Sequence, residues 1–191
     1  MPDWRSPGCL VWTPTDLSIA YPYGGTALGA LAQELEFSPG YRVREEASGE
    51  DRGVDRVGVL LLGARPELTA VLAEWSAAAL ARAFPGCYAA GVLSALAQAT
   101  YPGARAAGDW LDETDGGALL YVPTDDAGAP DTTQPWLLGR LAVPAYAQGR
   151  WVTLGARTAR VLEVRFLLLR DPAATAATAC WHWAGMEDLV L

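Results

Sequence analysis

The sequence predicts a mainly β protein: an antiparallel β-sandwich or barrel with one flanking α-helix at about 67–84. Three observations lead there. Short apolar runs broken by Gly-, Pro- and Asp-rich turns recur along the chain, enough for about seven to nine strands in meander order. Only one segment, Glu67–Phe84, carries clear helical spacing. Hydrophobic residues make up 51% of the 191 residues, sufficient for one core and a single domain spanning 1–191.

The organising stretch is Tyr21–Tyr41, YPYGGTALGALAQELEFSPGY. Pro22, Gly24 and Gly25 signal a turn, and Pro39-Gly40 closes the unit. Between them Leu31, Gln33, Leu35 and Phe37 fall on one side, with Ala32, Glu34 and Glu36 on the other. That period of two predicts a strand with one apolar and one acidic face.

Before it, Cys9–Trp12 is a short apolar run ended by Thr13-Pro14. After it, Tyr41–Arg44 alternates again as a second strand. Glu45–Arg56, EEASGEDRGVDR, is charged at most positions and reads as a solvated extended loop. Val57–Leu62 is continuously apolar and reads as a buried strand.

Pro66 then opens the predicted helix, with Glu67 in its first turn, where the helix dipole favours an anion. Leu68, Val71, Leu72, Trp75, Ala79 and Ala83 form its apolar stripe, and Pro85-Gly86 ends it. Leu68, Val71, Leu72 and Trp75 are expected to pack this helix on a sheet.

Gly91–Thr100 is Ala-rich and imperfectly alternating; it reads as strand, with helix open as the alternative. Tyr101–Gly117 is a loop by composition. Ala118–Val122 and Trp136–Val143 read as a strand pair joined by a second extended loop, Pro123–Gln134. Trp151–Leu154, Arg160–Leu169, Cys180–Trp183 and Leu189–Leu191 complete the strands. Within Arg160–Leu169, Leu162, Val164, Phe166 and Leu168 give a clean apolar face, so that sheet should be covered on one side.

Charge excludes one class of partner. The net charge is −8, all 14 basic residues are Arg, and the basic footprint of a duplex-DNA binder is missing. Cys9, Cys87 and Cys180 are odd in number and far apart, which reads as buried reduced thiols and no zinc site. The start MPDWRSPG lacks the pattern of a signal peptide. The longest apolar run, Val57–Ala64, is far below the roughly 20 residues of a membrane helix, so a soluble protein is expected.

Catalytic constellations are sparse. The single His182 sits between Trp181 and Trp183, where packing or hydrogen bonding is the expected role. Gly24–Gly29 superficially resembles a phosphate loop, but no Lys follows and a strand comes next. Asp112, Glu113 and Asp115, or Asp125 and Asp126, could meet a cation but lack EF-hand spacing and read as solvated loops. No enzyme activity, metal or cofactor is expected.

Several segments do resemble a known family. Thr15-Asp-Leu, Tyr21-Pro-Tyr-Gly-Gly-Thr-Ala-Leu-Gly29 and Phe37-Ser-Pro-Gly-Tyr41 come first. The helix with Leu68, Leu72, Trp75 and Phe84-Pro85 follows. Tyr121-Val-Pro, Gln134-Pro-Trp-Leu-Leu138, Ala142-Val-Pro144 and Val164-Arg-Phe-Leu-Leu-Leu-Arg-Asp171 close the series. In this order, from about Thr13 to Leu191, the chain resembles bacteriophage and prophage tail proteins, in particular tail tube proteins.

The resemblance implies a β-sandwich or barrel that forms stacked, usually hexameric rings around a bore for genome DNA. Its implied partners are further copies of itself and other tail proteins, such as the tape measure, terminator and baseplate. DNA would be non-adhesive cargo, and no membrane is involved. The place implied is the virion tail, with synthesis in the host cytoplasm.

Within that frame Glu34 and Glu36 are the expected lumen face. Glu45, Glu46, Glu50, Asp51, Arg52, Asp55 and Arg56 are the expected inter-ring arm. The alternatives are a tail terminator, adaptor or baseplate component, a monomeric β-sandwich binding module using exposed Trp, and a small hydrolase around His182.

Overall fold

A computed structural model describes residues 7–33, 35–47, 56–75, 116–145, 152–153, 161–174 and 179–191. Its strands are β1 (Gly8–Trp12), β2 (Thr26–Leu31), β3 (Glu36–Ser38), β4 (Tyr41–Ala47), β5 (Arg56–Ala64) and β6 (Glu67–Trp75). They continue as β7 (Gly117–Pro123), β8 (Trp136–Pro144), β9 (Val152–Thr153), β10 (Val161–Leu169) and β11 (Trp181–Ala184). A 3-10 turn over Met186–Asp188 follows.

The main sheet runs β11-β8-β7-β1-β2-β6-β10-β9, and β3 also pairs β6. A second pairing of β8 with β10 brings the sheet back on itself, so β1, β2, β6, β10, β8 and β7 form a closed antiparallel barrel. Among the described residues β4 and β5 pair only with each other, as a separate two-stranded ribbon.

The strands are of two kinds, and their sequences say why. β1, β7 and β8 are buried on both faces. Leu10, Trp12, Leu119, Tyr121, Leu137 and Ala142 point into the barrel. Val11, Leu120, Val122, Trp136 and Leu138 point outward, but Tyr23 and Leu189 cover them. Such strands read as continuous apolar runs. β10 alternates instead: Leu162, Val164, Phe166 and Leu168 are buried, while Glu163 is exposed. Gly24, at φ +72, makes the turn that brings Tyr23 down against Trp136, with ring centroids 5.6 Å apart.

The helix expected at 67–84 is corrected over its first half. Glu67–Trp75 is strand β6, paired with β10 from Leu72↔Leu162 to Glu67↔Leu167. The remainder, from Ser76 to Phe84, lies outside the described residues. Leu68, Ala70 and Leu72 point into the core, and Glu67, Thr69 and Val71 point away from it. The stripe therefore splits. Leu68 and Leu72 are core, Val71 lies on the opposite face, and the Trp75 backbone pairs Gly29 of β2. Alternation with β-branched Thr69 and Val71 suits a pleated surface better than a helix.

Three further expectations change. The Tyr21–Tyr41 unit is two strands, β2 and β3, broken by a bend at Ala32–Gln33. The charged run 45–56 is strand at both ends: Glu45 and Glu46 belong to β4, and Arg56 to β5. Glu50, Asp51, Arg52 and Asp55 lie outside the described residues. The run Val57–Leu62 is strand as expected but not buried, since Val59, Leu60, Leu61 and Leu62 are all exposed. The Pro123–Gln134 connection is a hairpin loop as expected. Thr124 bridges Pro130, and the Asp125 carboxylate accepts from the Ala127 and Ala129 N–H groups at 2.9 and 2.8 Å.

The strand assignment separates residues that a helix would group. Leu68→Ala and Leu72→Ala are each expected to cost about 2–5 kcal/mol of unfolding free energy. Val71→Thr, on the outward face, should leave the urea midpoint nearly unchanged. Equal losses at all three positions would restore the helical stripe.

Candidate assembly surfaces

The ribbon leaves the barrel through a narrow neck. Gly40, at φ +56, packs against the Arg65 carbonyl, and the Arg65 N–H donates to the Gly40 carbonyl at 3.0 Å. A Cβ at position 40 would collide with the Arg65 backbone, so glycine is required there.

Beyond the neck the register sorts the ribbon into two faces. Val43 opposes Leu61, Glu45 opposes Val59, and Tyr41 opposes Ala64. Arg42 opposes Gly63 and Arg44 opposes Leu60 on the other face. One face is thus mostly apolar, and the other mixes the basic Arg42 and Arg44 with Leu60. Tyr41 is 58% exposed, Val43 54%, Val59 63% and Leu61 59%. Four large apolar side chains on one face, all more than half in water, form a surface built to be covered.

The second surface is acidic and lies on the outside of β3, β6 and β10. Glu36 is exposed on β3 opposite Thr69, which in turn opposes Arg165. Glu36, Ser38, Glu67, Thr69, Glu163 and Arg165 line a shallow cleft of about 280 Å³. Arg165 is ion-paired to Glu67, and Arg65 reaches the same carboxylate at 3.5 Å. Three carboxylates against Arg165 and Arg65 leave the cleft with a net negative charge. Glu36 of the expected lumen face is therefore on an acidic wall; Glu34 lies outside the described residues. Sequence reading missed Glu67 and Glu163 as members of that wall. The helical spacing puts Glu67 on a helix, and Glu163 joins the same surface only through the β6–β10 pairing.

The third surface is an apolar trough of about 660 Å³ between β1–β2 and the β7–β8 loop. Gly8, Ala27, Gly29 and Leu31 line its floor, Tyr21 stands over it, and Asp125 and Asp126 lie on its loop side. Burial pushes the Cys9 thiol up from its ordinary range, and the Tyr21 hydroxyl donating to it offsets part of that. Tyr21, Tyr23 and Tyr121 are all raised as well, first by burial and then by the neighbouring Cys9.

His182 lies on β11, with its backbone opposite Leu138 and its Nδ1 buried without a hydrogen-bond partner. Its neighbours Trp181 and Trp183 both contact Phe37, at centroid distances of 5.5 and 6.1 Å. The imidazole lines neither the trough nor the acidic cleft. Among the described residues no group of three or more His, Cys, Asp or Glu side chains could hold a metal ion. Asp112, Glu113, Asp115 and Cys87 lie outside them. No helix among them is long and apolar enough to cross a membrane.

No protein-family model matches the chain, and no curated protein matches it.

The raised thiol and phenols carry a pH consequence. Their folded pKa values lie above the unfolded ones, so the stability they contribute is complete below the unfolded values. It is lost as pH rises through the folded values. The urea midpoint is expected to fall progressively above about pH 9, the onset of thiol and phenol ionisation in an unfolded chain. Cys9→Ala should flatten part of that slope. A midpoint indifferent to alkaline pH would contradict the assignment.

Proposed function

We propose that the chain is a self-assembling structural protein of a virion tail, a subunit of the tail tube class. Copies join into rings, hexameric in that class, and the rings stack into a hollow tube for genome DNA. The observation that carries this reading is the β4–β5 ribbon. A two-stranded hairpin is marginally stable by itself in water. This one also leaves Tyr41, Val43, Val59 and Leu61 exposed on a single face. Among the described residues both its outer strand edges are unpaired, because β4 and β5 bond only to each other. A neighbouring copy would remove all three liabilities together.

The acidic wall supports the same reading. Adhesion of DNA through counterion release requires cations on the protein. On the wall, Arg165 and Arg65 are engaged by Glu67, and Glu36 and Glu163 add negative charge. A bore lined by this face would repel the phosphate backbone and let it slide. Glu36 keeps its role as a lumen residue in this reading. Glu45, Glu46 and Arg56 keep theirs as parts of the arm, now as strands of the ribbon. A terminator, adaptor or baseplate component of the same tail would use the same surfaces. The reading draws no support from a flanking helix.

Negative-stain electron microscopy of the concentrated protein is expected to show rings or tubes. Val59→Asp/Leu61→Asp should leave the barrel folded by near-UV circular dichroism while abolishing those assemblies. A wild-type chain that stays monomeric at every concentration tested would refute the proposal.

A further inference from the structure

Building on self-assembly through the ribbon, we infer where the ribbon goes: its apolar face seats in the trough between β1–β2 and the β7–β8 loop of a second copy. The two surfaces match in chemistry. The ribbon offers Tyr41, Val43, Val59 and Leu61, and the trough offers a mostly apolar lining.

The floor explains how a strand pair could lie there. Gly8, Ala27 and Gly29 put almost no side chain on that floor beside Leu31, and such positions allow another backbone to approach closely. Charge then fixes the orientation. Asp125 and Asp126 line the trough on its loop side, and both are exposed. Arg42 and Arg44 project from the ribbon's opposite face and are exposed too. With the apolar face down, their long aliphatic stems can carry the guanidinium groups over the β4 edge to those carboxylates.

The match is not used within one chain. The same molecule carries the ribbon's apolar face exposed and the trough open. The occupant is therefore a second copy, and each copy is both donor and acceptor. Contacts of this kind are heterologous, and they generate rings when the rotation closes and filaments when it does not.

The test places a benzophenone amino acid at Leu61 of the full chain, irradiates the assembled protein and maps intermolecular crosslinks by mass spectrometry. Crosslinks are expected in Pro7–Leu31 or Thr124–Pro130. Independently, Asp126→Arg should raise the concentration needed for half-assembly roughly tenfold, with Arg42→Glu/Arg44→Glu on the same chain recovering most of the loss. Assemblies whose crosslinks map elsewhere, ribbon to ribbon included, would overturn the seat while leaving self-assembly intact. Trough crosslinks with unchanged Asp126→Arg assembly would remove the charges from the contact. Absence of any assembly in the wild-type chain would instead remove the proposal on which this one rests.

Discussion

Pairing between β8 and β10 is the constraint on which the rest of the structure depends. From Leu141↔Leu169 to Pro144↔Phe166, it turns an open sheet into a barrel. Closure puts Phe166 beside Trp12, at 5.7 Å between ring centroids, and shields Leu68, Leu72, Leu119 and Leu137 from water. It also limits what else can join. The edge of β8 that β10 uses is shared with β11, whose pairing stops at Gly139. β6 is full on both sides, with β10 along one edge and β2 and β3 dividing the other. No edge of β6 remains for the chain segment that precedes it. That segment, β5, pairs among the described residues only with β4, and the ribbon stands apart from the closed barrel.

The same closure explains which parts of the fold could be read from sequence. β1, β7 and β8 carry apolar residues on both faces because Tyr23 and Leu189 cover their outer side, so their runs were visible as runs. β10 is wet on one face, and its alternation of Leu162, Val164, Phe166 and Leu168 with Glu163 and Arg165 was equally visible. β6 has the same construction but hides it. Ala70 is a weak hydrophobic marker on the inward face, while Val71 is a strong one on the outward face. With those two, the spacing Leu68, Val71, Leu72, Trp75 imitates a helix. The signals that could have decided the matter were β-branched Thr69 and Val71, and the single alternation of Glu67 and Thr69 against Leu68 and Ala70.

Val57–Leu62 shows a different limit. A continuous apolar strand is ordinarily buried on both faces, and the inference to burial was sound for a chain taken as self-contained. In the structure Val59, Leu60, Leu61 and Leu62 of that strand are exposed. The pattern encodes the environment a segment is selected to occupy, and one subunit need not supply that environment. The acidic wall was only half legible for a related reason. Glu36 could be placed on a charged face by period alone, whereas its union with Glu67 and Glu163 needs three strands in register.

The distribution of cations adds one more step. A chain with a net charge of −8 and only 14 Arg has few positive groups to place. On the wall, Arg165 and the more exposed Arg65 are both tied to Glu67. On the ribbon, Arg42 and Arg44 stand exposed on the face opposite Val43 and Leu61. A free cation on the wall would offer phosphates a point of counterion release, and each such point strengthens adhesion. Cations on the ribbon cost nothing of that kind once the ribbon is covered by protein. Neutralising them at the wall and concentrating them on the arm therefore serves both tasks proposed for the chain. It keeps one surface repellent to a polyanion and makes the other complementary to an acidic neighbour, which is to say to another copy of the same molecule.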